Sequence, residues 1–317
     1  MKSLPRIGAV VLTYNSEADL PASLNGLREQ EGVDLRLILV DNASALSSRK
    51  EMEETFEAHF QDGLLLDLAE ASRASVGDAR AVFIRNDKNA GYSAGNNIGA
   101  RLAESLGCEG MLILNPDVRI SDPRYVAKLW SAMKLEPLAA VAASSVRNLN
   151  GVNENPMKEP GFWEEFLWPA RMMFSARGFQ RGKMRKAPAS DKTIEKVSGS
   201  CFLICADALE EIGYFDEGVF LYCEEAILSA QLKARGRTIA YTTSLEVLHA
   251  HDTSMKGDPT RRFAAWSRSR GYFLHNYSGY GTIALGFLTF SRFCTIGLVG
   301  VRQVWRKLRQ PPAQANR

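Results

Sequence analysis

Acidic and imidazole side chains recur in this 317-residue chain at the ends of apolar runs, where a carboxylate or ring nitrogen can meet a ligand. Asp117 comes three residues after the end of the aliphatic stretch Met111–Leu114. A carboxylate so placed can hold Mg2+ or Mn2+ together with two phosphate oxygens, and such a cation would neutralise a departing diphosphate. An Asn-Pro-Asp turn closing a strand accounts for Asn115–Asp117 equally well. Glu224 and Glu225 stand side by side at the start of a helical pattern, after the strand-like Val219–Tyr222. An acid whose pKa is raised by a neighbouring acid suits proton removal from an attacking hydroxyl, although helix first turns favour acids in any case. His249 follows the apolar Leu245–Leu248, where a neutral ring can ligate a metal and a charged one can stabilise a leaving group. His251, two residues on, shares its strand face and competes for the role; a structural histidine at a strand end is the plainer alternative.

A second group of polar residues follows the first three apolar runs. Thr13, Tyr14 and Asn15 come after the first and Asp41 after the second, where a carboxylate can accept from a pyrimidine N3 or a ribose hydroxyl. Asp41-Asn-Ala-Ser is also a good turn and helix cap. After the third run, Gly91, Gly95 and Gly99 recur every four residues, putting small residues along one helix face for close approach of a sheet or a ligand. Asn89 and Asn96, amides in the same small and apolar segment, want partners. No GxGxxG follows the first run and no GxxxxGK[ST] occurs, so a dinucleotide fingerprint and a P-loop are unsupported.

The elements that must position these residues alternate between strands and helices. Ile7–Thr13, Leu35–Val40, Ala81–Arg85 and Met111–Leu114 read as strands separated by helix-length segments, which gives βαβ units on a mostly parallel sheet. Their near-continuous apolar character fits strands covered on both faces, with ligands bound beyond their carboxyl ends. Glu17–Gln30 reads as a helix with Ser16 at its N-cap. Lys196–Cys205 has strand character, Asp207–Ile212 is a short helix, and Cys223–Arg235 is a longer helix ending at Gly236. Asn148–Glu195, rich in Gly, Pro, Asn and basic residues, shows no regular pattern and is expected to be functional or mobile.

Taken in order, VVLTYN (Val10–Asn15), VDNAS (Val40–Ser44), NAGYSAGNNIG (Asn89–Gly99), LILNPDV (Leu112–Val118), GYFDEGVFLYCEE (Gly213–Glu225) and VLHAHDTS (Val247–Ser254) resemble family 2 glycosyltransferases, nearest to their bacterial rhamnosyltransferase-like branch. The likeness covers roughly residues 6–255. It implies a GT-A fold, α/β with a Rossmann-like mostly parallel sheet flanked by helices, a divalent metal (Mg2+ or Mn2+) and inverting transfer from a nucleotide sugar. By the same resemblance Asp117 ends the acidic metal motif with Asn115 in place of its first acid, His249 sits near the metal and diphosphate, and Glu225 is the base. The family often carries a further acid where this chain has Ile227. The division that follows is a catalytic domain of residues 1–258, with a nucleotide-binding half of about 1–120 and an acceptor-binding half of about 121–258, and a tail of 259–317.

Composition supports a soluble catalytic body with an unusual end. Forty-five per cent apolar content excludes disorder and small disulfide scaffolds. Five cysteines without a CxxC pair fit reduced thiols, and Ile7–Leu12 is too short for a signal-peptide core, so the body is expected in the cytoplasm. The formal charge of +3 conceals a split: residues 259–317 hold 10 basic residues and no acid, while residues 1–258 hold 29 basic against 36 acidic, or −7. Within the tail, Thr282–Val301 is 20 residues with one charge, long enough to be considered for a membrane span, but Arg292 makes insertion close to break-even. Ile283, Phe287, Phe290, Cys294, Val301 and Trp305 form one helical stripe, opposite Arg292, Thr295, Arg302, Arg306 and Arg309. A helix lying on an anionic membrane surface is expected, with packing on the body or in a dimer as the alternative. The expected partners are thus a dTDP- or UDP-activated donor, with rhamnose the candidate sugar, a lipid-linked saccharide acceptor and the inner face of the plasma membrane. A nucleotidyltransferase would want a Gly-rich basic loop after the first strand. A nucleic-acid binder would not need Phe287 and Phe290 in its basic tail, and a non-catalytic sugar-nucleotide binder is made thinkable by Ile227.

Overall fold

The computed structural model describes residues 3–174, 192–251 and 259–309. The elements, in chain order, are β1 (Arg6–Thr13), α1 (Leu20–Arg28), β2 (Asp34–Asn42), α2 (Leu46–His59), β3 (Leu64–Asp67), α3 (Arg73–Val76), β4 (Ala81–Asn86), α4 (Tyr92–Ser105), β5 (Gly110–Leu114), β6 (Val118–Arg119) and α5 (Tyr125–Leu135). They continue with β7 (Ala139–Asn148), α6 (Phe162–Phe166), α7 (Trp168–Phe174), β8 (Lys192–Ile194), β9 (Cys201–Cys205), α8 (Ala206–Glu211), α9 (Glu224–Ala234), β10 (Thr238–His249), α10 (Pro259–Tyr277) and α11 (Thr282–Arg309). The chain forms two compact units, Met1–Lys158 with Met184–Asp252, and Glu159–Lys183 with Thr253–Arg317.

The first unit is built on a ten-stranded sheet in the order β3-β4-β2-β1-β5-β9-β7-β10-β6, with β8 paired to β10. From β3 to β5 every pairing is parallel. β9 runs antiparallel to both β5 and β7, and β10 returns parallel to β7. The expected mostly parallel α/β sheet is therefore present. Its central strands are buried on both faces, and Ile7, Val10, Ile38, Leu39, Phe83, Leu112 and Ile113 form the heart of the core. α4 packs unusually close: an added Cβ at Gly95 would lie 2.4 Å from a Leu12 methyl, and one at Gly99 2.5 Å from a Val10 methyl.

Several local expectations are corrected. The first helix begins at Leu20, not Glu17, because Asp19 and Leu20 donate to the Ser16 carbonyl in a preceding turn. Ser16 Oγ accepts from the Tyr14 amide and so is not the helix cap. Lys196–Ser200 stays outside the strand that starts at Cys201. Val219–Tyr222 is not a strand: Tyr222 and Cys223 adopt φ of 73° and 70°, a left-handed pair that extended pairing excludes. The stretch left without elements holds α6, α7 and β8, with residues 175–191 outside the description.

The second unit is helical. Residues 159–174, drawn from the middle of the chain, pack with α10 and α11 because Phe162 and Phe166 set their rings against Tyr280 and Phe287 at 5.7 and 5.9 Å. Arg270 of α10 reaches Glu165 of α6 through three hydrogen bonds of 2.6 to 3.1 Å and also pairs with Glu159. The Ser291 hydroxyl of α11 donates to the Phe166 carbonyl at 2.8 Å, and that of Thr295 to the Ser291 carbonyl at 2.9 Å. Thr295, expected on an outer polar stripe, is thus buried, while Ile283, Phe287, Phe290 and Val301 are exposed. The side chains of 302–309, including Arg302, Trp305, Arg306 and Arg309, lie outside the described residues.

Candidate active site

Strand pairing explains how residues more than a hundred positions apart meet. The two-residue β6 runs antiparallel to the end of β10 and sets Val118 opposite His249. Asp117, one residue earlier, accepts the Ala250 amide on its carbonyl at 2.8 Å. His249 and His251, two residues apart, point to one side of the strand end, and Asp117, in the turn before β6 and so free of strand alternation, brings its carboxylate to the same side. His249 Nε2 lies 3.2 Å from Asp117 Oδ1 and His251 Nδ1 lies 3.1 Å from Oδ2. The two rings stack with centroids 5.5 Å apart. Arg119 steadies the turn before β6, donating to the Pro116 carbonyl at 2.8 Å and to Asp19 at 2.7 Å.

Glu154, in a stretch without periodicity to mark it, completes this group. β7 lies parallel to β10, and the chain beyond it doubles back so that the Glu154 amide donates to the Val146 carbonyl. Glu154 Oε2 then sits 2.6 Å from His249 Nδ1. Burial would lower the pKa of His249, but its close contacts with Asp117 and Glu154, and their charges, outweigh it and raise it to about 9. Both carboxyls respond in the opposite sense. Burial pushes Asp117 and Glu154 up, yet their contacts with the imidazoles hold each below its ordinary value.

These groups fit a divalent cation. Asp117 Oδ1, His249 Nε2 and His251 Nε2 are buried without a hydrogen-bond partner, and one ligand atom from each of the three residues lies within 4.8 Å of the others. A carboxylate and two imidazoles are a recognised divalent-metal donor set, and Glu154 behind His249 is the outer carboxylate that fixes a ligating ring's tautomer. Asp117 and His249 are thus brought together as expected, and His251 joins them instead of competing. Ser254 lies outside the described residues.

The glutamate pair stands in the same neighbourhood. The Asn115 amide donates to the Ser200 carbonyl at 2.9 Å, tying the turn that carries Asp117 to the loop before β9. An added Cβ at Gly199, the preceding residue, would meet Glu225 Oε1 at 3.5 Å and Tyr92 Oη at 3.4 Å. Tyr92 donates to the Gly199 carbonyl at 2.5 Å. Its phenol is raised well above the ordinary value by burial and then by the charges of Glu224 and Glu225. The pair begins α9 immediately after the left-handed Tyr222 and Cys223, backbone strain of the sort that persists where surrounding contacts impose it. Gly91 is one source of that imposition. It has φ of 106°, the Tyr92 amide bonds the Phe220 carbonyl at 2.9 Å, and a Cβ at Gly91 would lie 2.3 Å from that same oxygen. Ile227 is buried in the core side of α9, which explains an aliphatic residue there.

The expected nucleotide-binding residues divide into two sets. Several spend their polar atoms on the scaffold. Thr13 Oγ1 donates to the Val40 carbonyl, and Asn15 accepts the Ala45 amide. The fully buried Asp41 accepts from Arg49 at 2.6 Å and from the Ser44 amide at 3.2 Å, the turn-forming alternative. Asn89 accepts from Asn42 and from the Gly91 amide, so its partners are internal, and Asn42 of the VDNAS motif serves the scaffold with it. Others keep capacity for a ligand. Tyr14 is exposed, and Asn96 donates to the Tyr92 carbonyl while its buried Oδ1 has no partner. Gly91 starts α4 as its N-cap and so does not share the helix face of Gly95 and Gly99.

Comparisons with known proteins bear on the fold and the family. The chain is 29% identical over 209 residues to an N-acetylglucosaminyl-diphospho-decaprenol L-rhamnosyltransferase of Mycobacterium tuberculosis, matching 61% of this chain and 66% of that one. It is 28% identical over 173 residues to the low-salt glycan biosynthesis hexosyltransferase Agl10 of Haloferax volcanii, matching 53% and 51% respectively. The chain thus spans between half and two-thirds of the length of these relatives. In fold it is similar to the mannosyltransferase PcManGT of Pyrobaculum calidifontis, solved with GDP-Man and Mn2+, with a TM-score of 0.54, 13% identity and coverage of 98% of this chain and 77% of that one. It is also similar to S. aureus TarS, with a TM-score of 0.51, 14% identity and coverage of 88% and 41%. Glycosyl transferase family 2 matches residues 9–213, nearly two-thirds of the sequence, and the chain belongs to that family.

Proposed function

We propose that the protein transfers a sugar, with inversion, from a dTDP- or UDP-activated donor to a lipid-linked saccharide in cell-surface polysaccharide synthesis, at the inner face of the plasma membrane. Rhamnose is the candidate sugar, since a relative is named for rhamnosyl transfer to a polyprenyl-linked acceptor. The observation that carries the reading is the Asp117–His249–His251 group, joined through Asn115 and Ser200 to the loop against which Glu225 lies.

Asp117, His249 and His251 would hold the cation, with Glu154 orienting His249. Two imidazoles beside one carboxylate favour Mn2+ over Mg2+, whose preferred donors are oxygens. When bound, the metal supplies charge neutralisation for the departing nucleoside diphosphate. Glu225 takes the proton of the acceptor hydroxyl as its oxygen bonds to the anomeric carbon from the face opposite the diphosphate; the anomeric C–O bond breaks and its electron pair leaves with the diphosphate. Glu224 and Tyr92 flank the base, Tyr92 by its bond to the Gly199 carbonyl beside which Glu225 lies. Tyr14, Asn96 and Asn115 are assigned to the donor, with Thr13, Asn15, Asp41 and Asn89 shaping the floor beneath it.

The test is turnover with a panel of nucleotide sugars. Glu225→Gln should lower turnover by about 100-fold or more while leaving donor affinity nearly unchanged. Retained turnover would move the base elsewhere.

A further inference from the structure

The helical unit formed by α6, α7, α10 and α11 departs from a water-soluble helical cluster in the charges it buries and the rings it exposes. Beside the buried Phe263, Phe273, Leu274 and Leu288, its interior holds ions and hydroxyls: Arg270 and Glu165 are each 3% exposed, and Ser267, Ser269, Ser291 and Thr295 are buried with them. Its outside carries large apolar side chains: Ile283 is 77% exposed, Phe293 69%, Trp163 67% and Phe290 65%. In water each exposed ring is a loss and each buried charge a desolvation penalty. In hydrocarbon the outward rings are favoured and the polar groups must find one another inside, as the Arg270–Glu165 pair and the Ser291–Phe166 bond do.

We propose that this unit is a monotopic membrane anchor whose Trp163, Ile283, Phe287, Phe290 and Phe293 face sits among the acyl chains of one leaflet. α11 contains a segment, Thr282–Val301, long and apolar enough to cross a membrane. Its partners are not: α6 has five residues, α7 has seven, and α10 carries Arg261, Arg262, Arg268 and Arg270. A helix packed along elements that cannot cross lies in the leaflet with them. Phe162, Ile283 and Phe287 line an apolar groove open at this surface, suited to a lipid chain. Charge selects the side of the bilayer and the lipid: residues 259–317 hold 10 basic residues and no acid, complementary to anionic headgroups. Adhesion here comes mainly from insertion, with the basic residues in support, and α6 contributes a surface that no reading of the tail alone includes. The inference stands apart from the catalytic reading, so neither fails with the other.

Flotation of the full chain with phosphatidylcholine vesicles, with and without phosphatidylglycerol, at about 0.1 M and about 1 M NaCl tests it. The protein should float with both, better with the anionic lipid, and remain bound at the higher salt. Phe290→Asp with Phe293→Asp should lower partitioning at least about tenfold at either salt, with unchanged circular dichroism. As a measurement on the unaltered face, brominated acyl chains should quench part of the tryptophan emission, and Trp163→Phe should reduce that part. Binding that vanishes at the higher salt, absence of quenching, or a soluble dimer that the aspartate pair dissociates would overturn the proposal.

Discussion

His249 is held between two carboxylates, and each has a different task. Asp117 shares the ligand cluster with it, whereas Glu154 touches only its far nitrogen. Removing the charge of Glu154 while keeping its shape should therefore weaken the metal without dismantling the site: Glu154→Gln is expected to lower Mn2+ affinity by about 10- to 100-fold by calorimetry. The raised pKa of His249 gives a second expectation. In metal-free protein a histidine raised from 6.5 to about 9 adds stability that is full below 6.5 and is lost as pH climbs through 9. Metal binding needs the neutral ring, so its benefit grows over the same interval. The Tm of metal-free protein should therefore fall between those values, while the increment given by Mn2+ should rise; an increment that shrinks with pH would remove His249 from the ligand set. The motif acids and histidines were legible because each follows an apolar run. Glu154 was not, because it lies in an Asn-rich stretch without period and meets His249 only through the β7 and β10 pairing.

At the scale of elements, the site depends on two small features that no periodicity announces. β6 is two residues long, too short to show alternation, yet its pairing with β10 places Asp117 beside the histidines. The long strands β1, β2, β4 and β5 were read from continuous apolar runs and differ from expectation only at their ends. Val219–Tyr222 misled because aromatic and β-branched side chains favour strands, whereas the backbone there is bent by left-handed residues and docked on Gly91. Gly91 is the linchpin of that docking. Gly91→Ala adds a methyl 2.3 Å from the Phe220 oxygen at a φ of 106°, and should cost about 1–3 kcal/mol in urea unfolding. It should also depress turnover, since Glu224 and Glu225 follow the displaced loop; full turnover would show that the loop does not position them.

Over the whole molecule, the two units carry opposite chemical characters. The first is an acidic α/β body with its reactive groups at strand ends, and the family match lies within residues 9–213. The second is held by buried polar contacts, so Arg270→Ala, which strands Glu165 and Glu159, should destabilise it by about 3–5 kcal/mol. Local proteolysis of α10 and α11 would report that loss. The charge split and the apolar stripe of the tail were visible in the sequence; its inward Thr295 and its companion α6 were not, because a helical wheel shows faces and not what each face meets. The central claim is a metal-dependent sugar-nucleotide site built on Asp117. Calorimetric titration of dTDP-, UDP- and GDP-sugars into the full chain, with and without Mn2+, addresses it most directly. One donor should bind only when Mn2+ is present, and that binding should disappear in Asp117→Ala. Equal affinity without the metal, or unchanged affinity in the variant, would contradict the account.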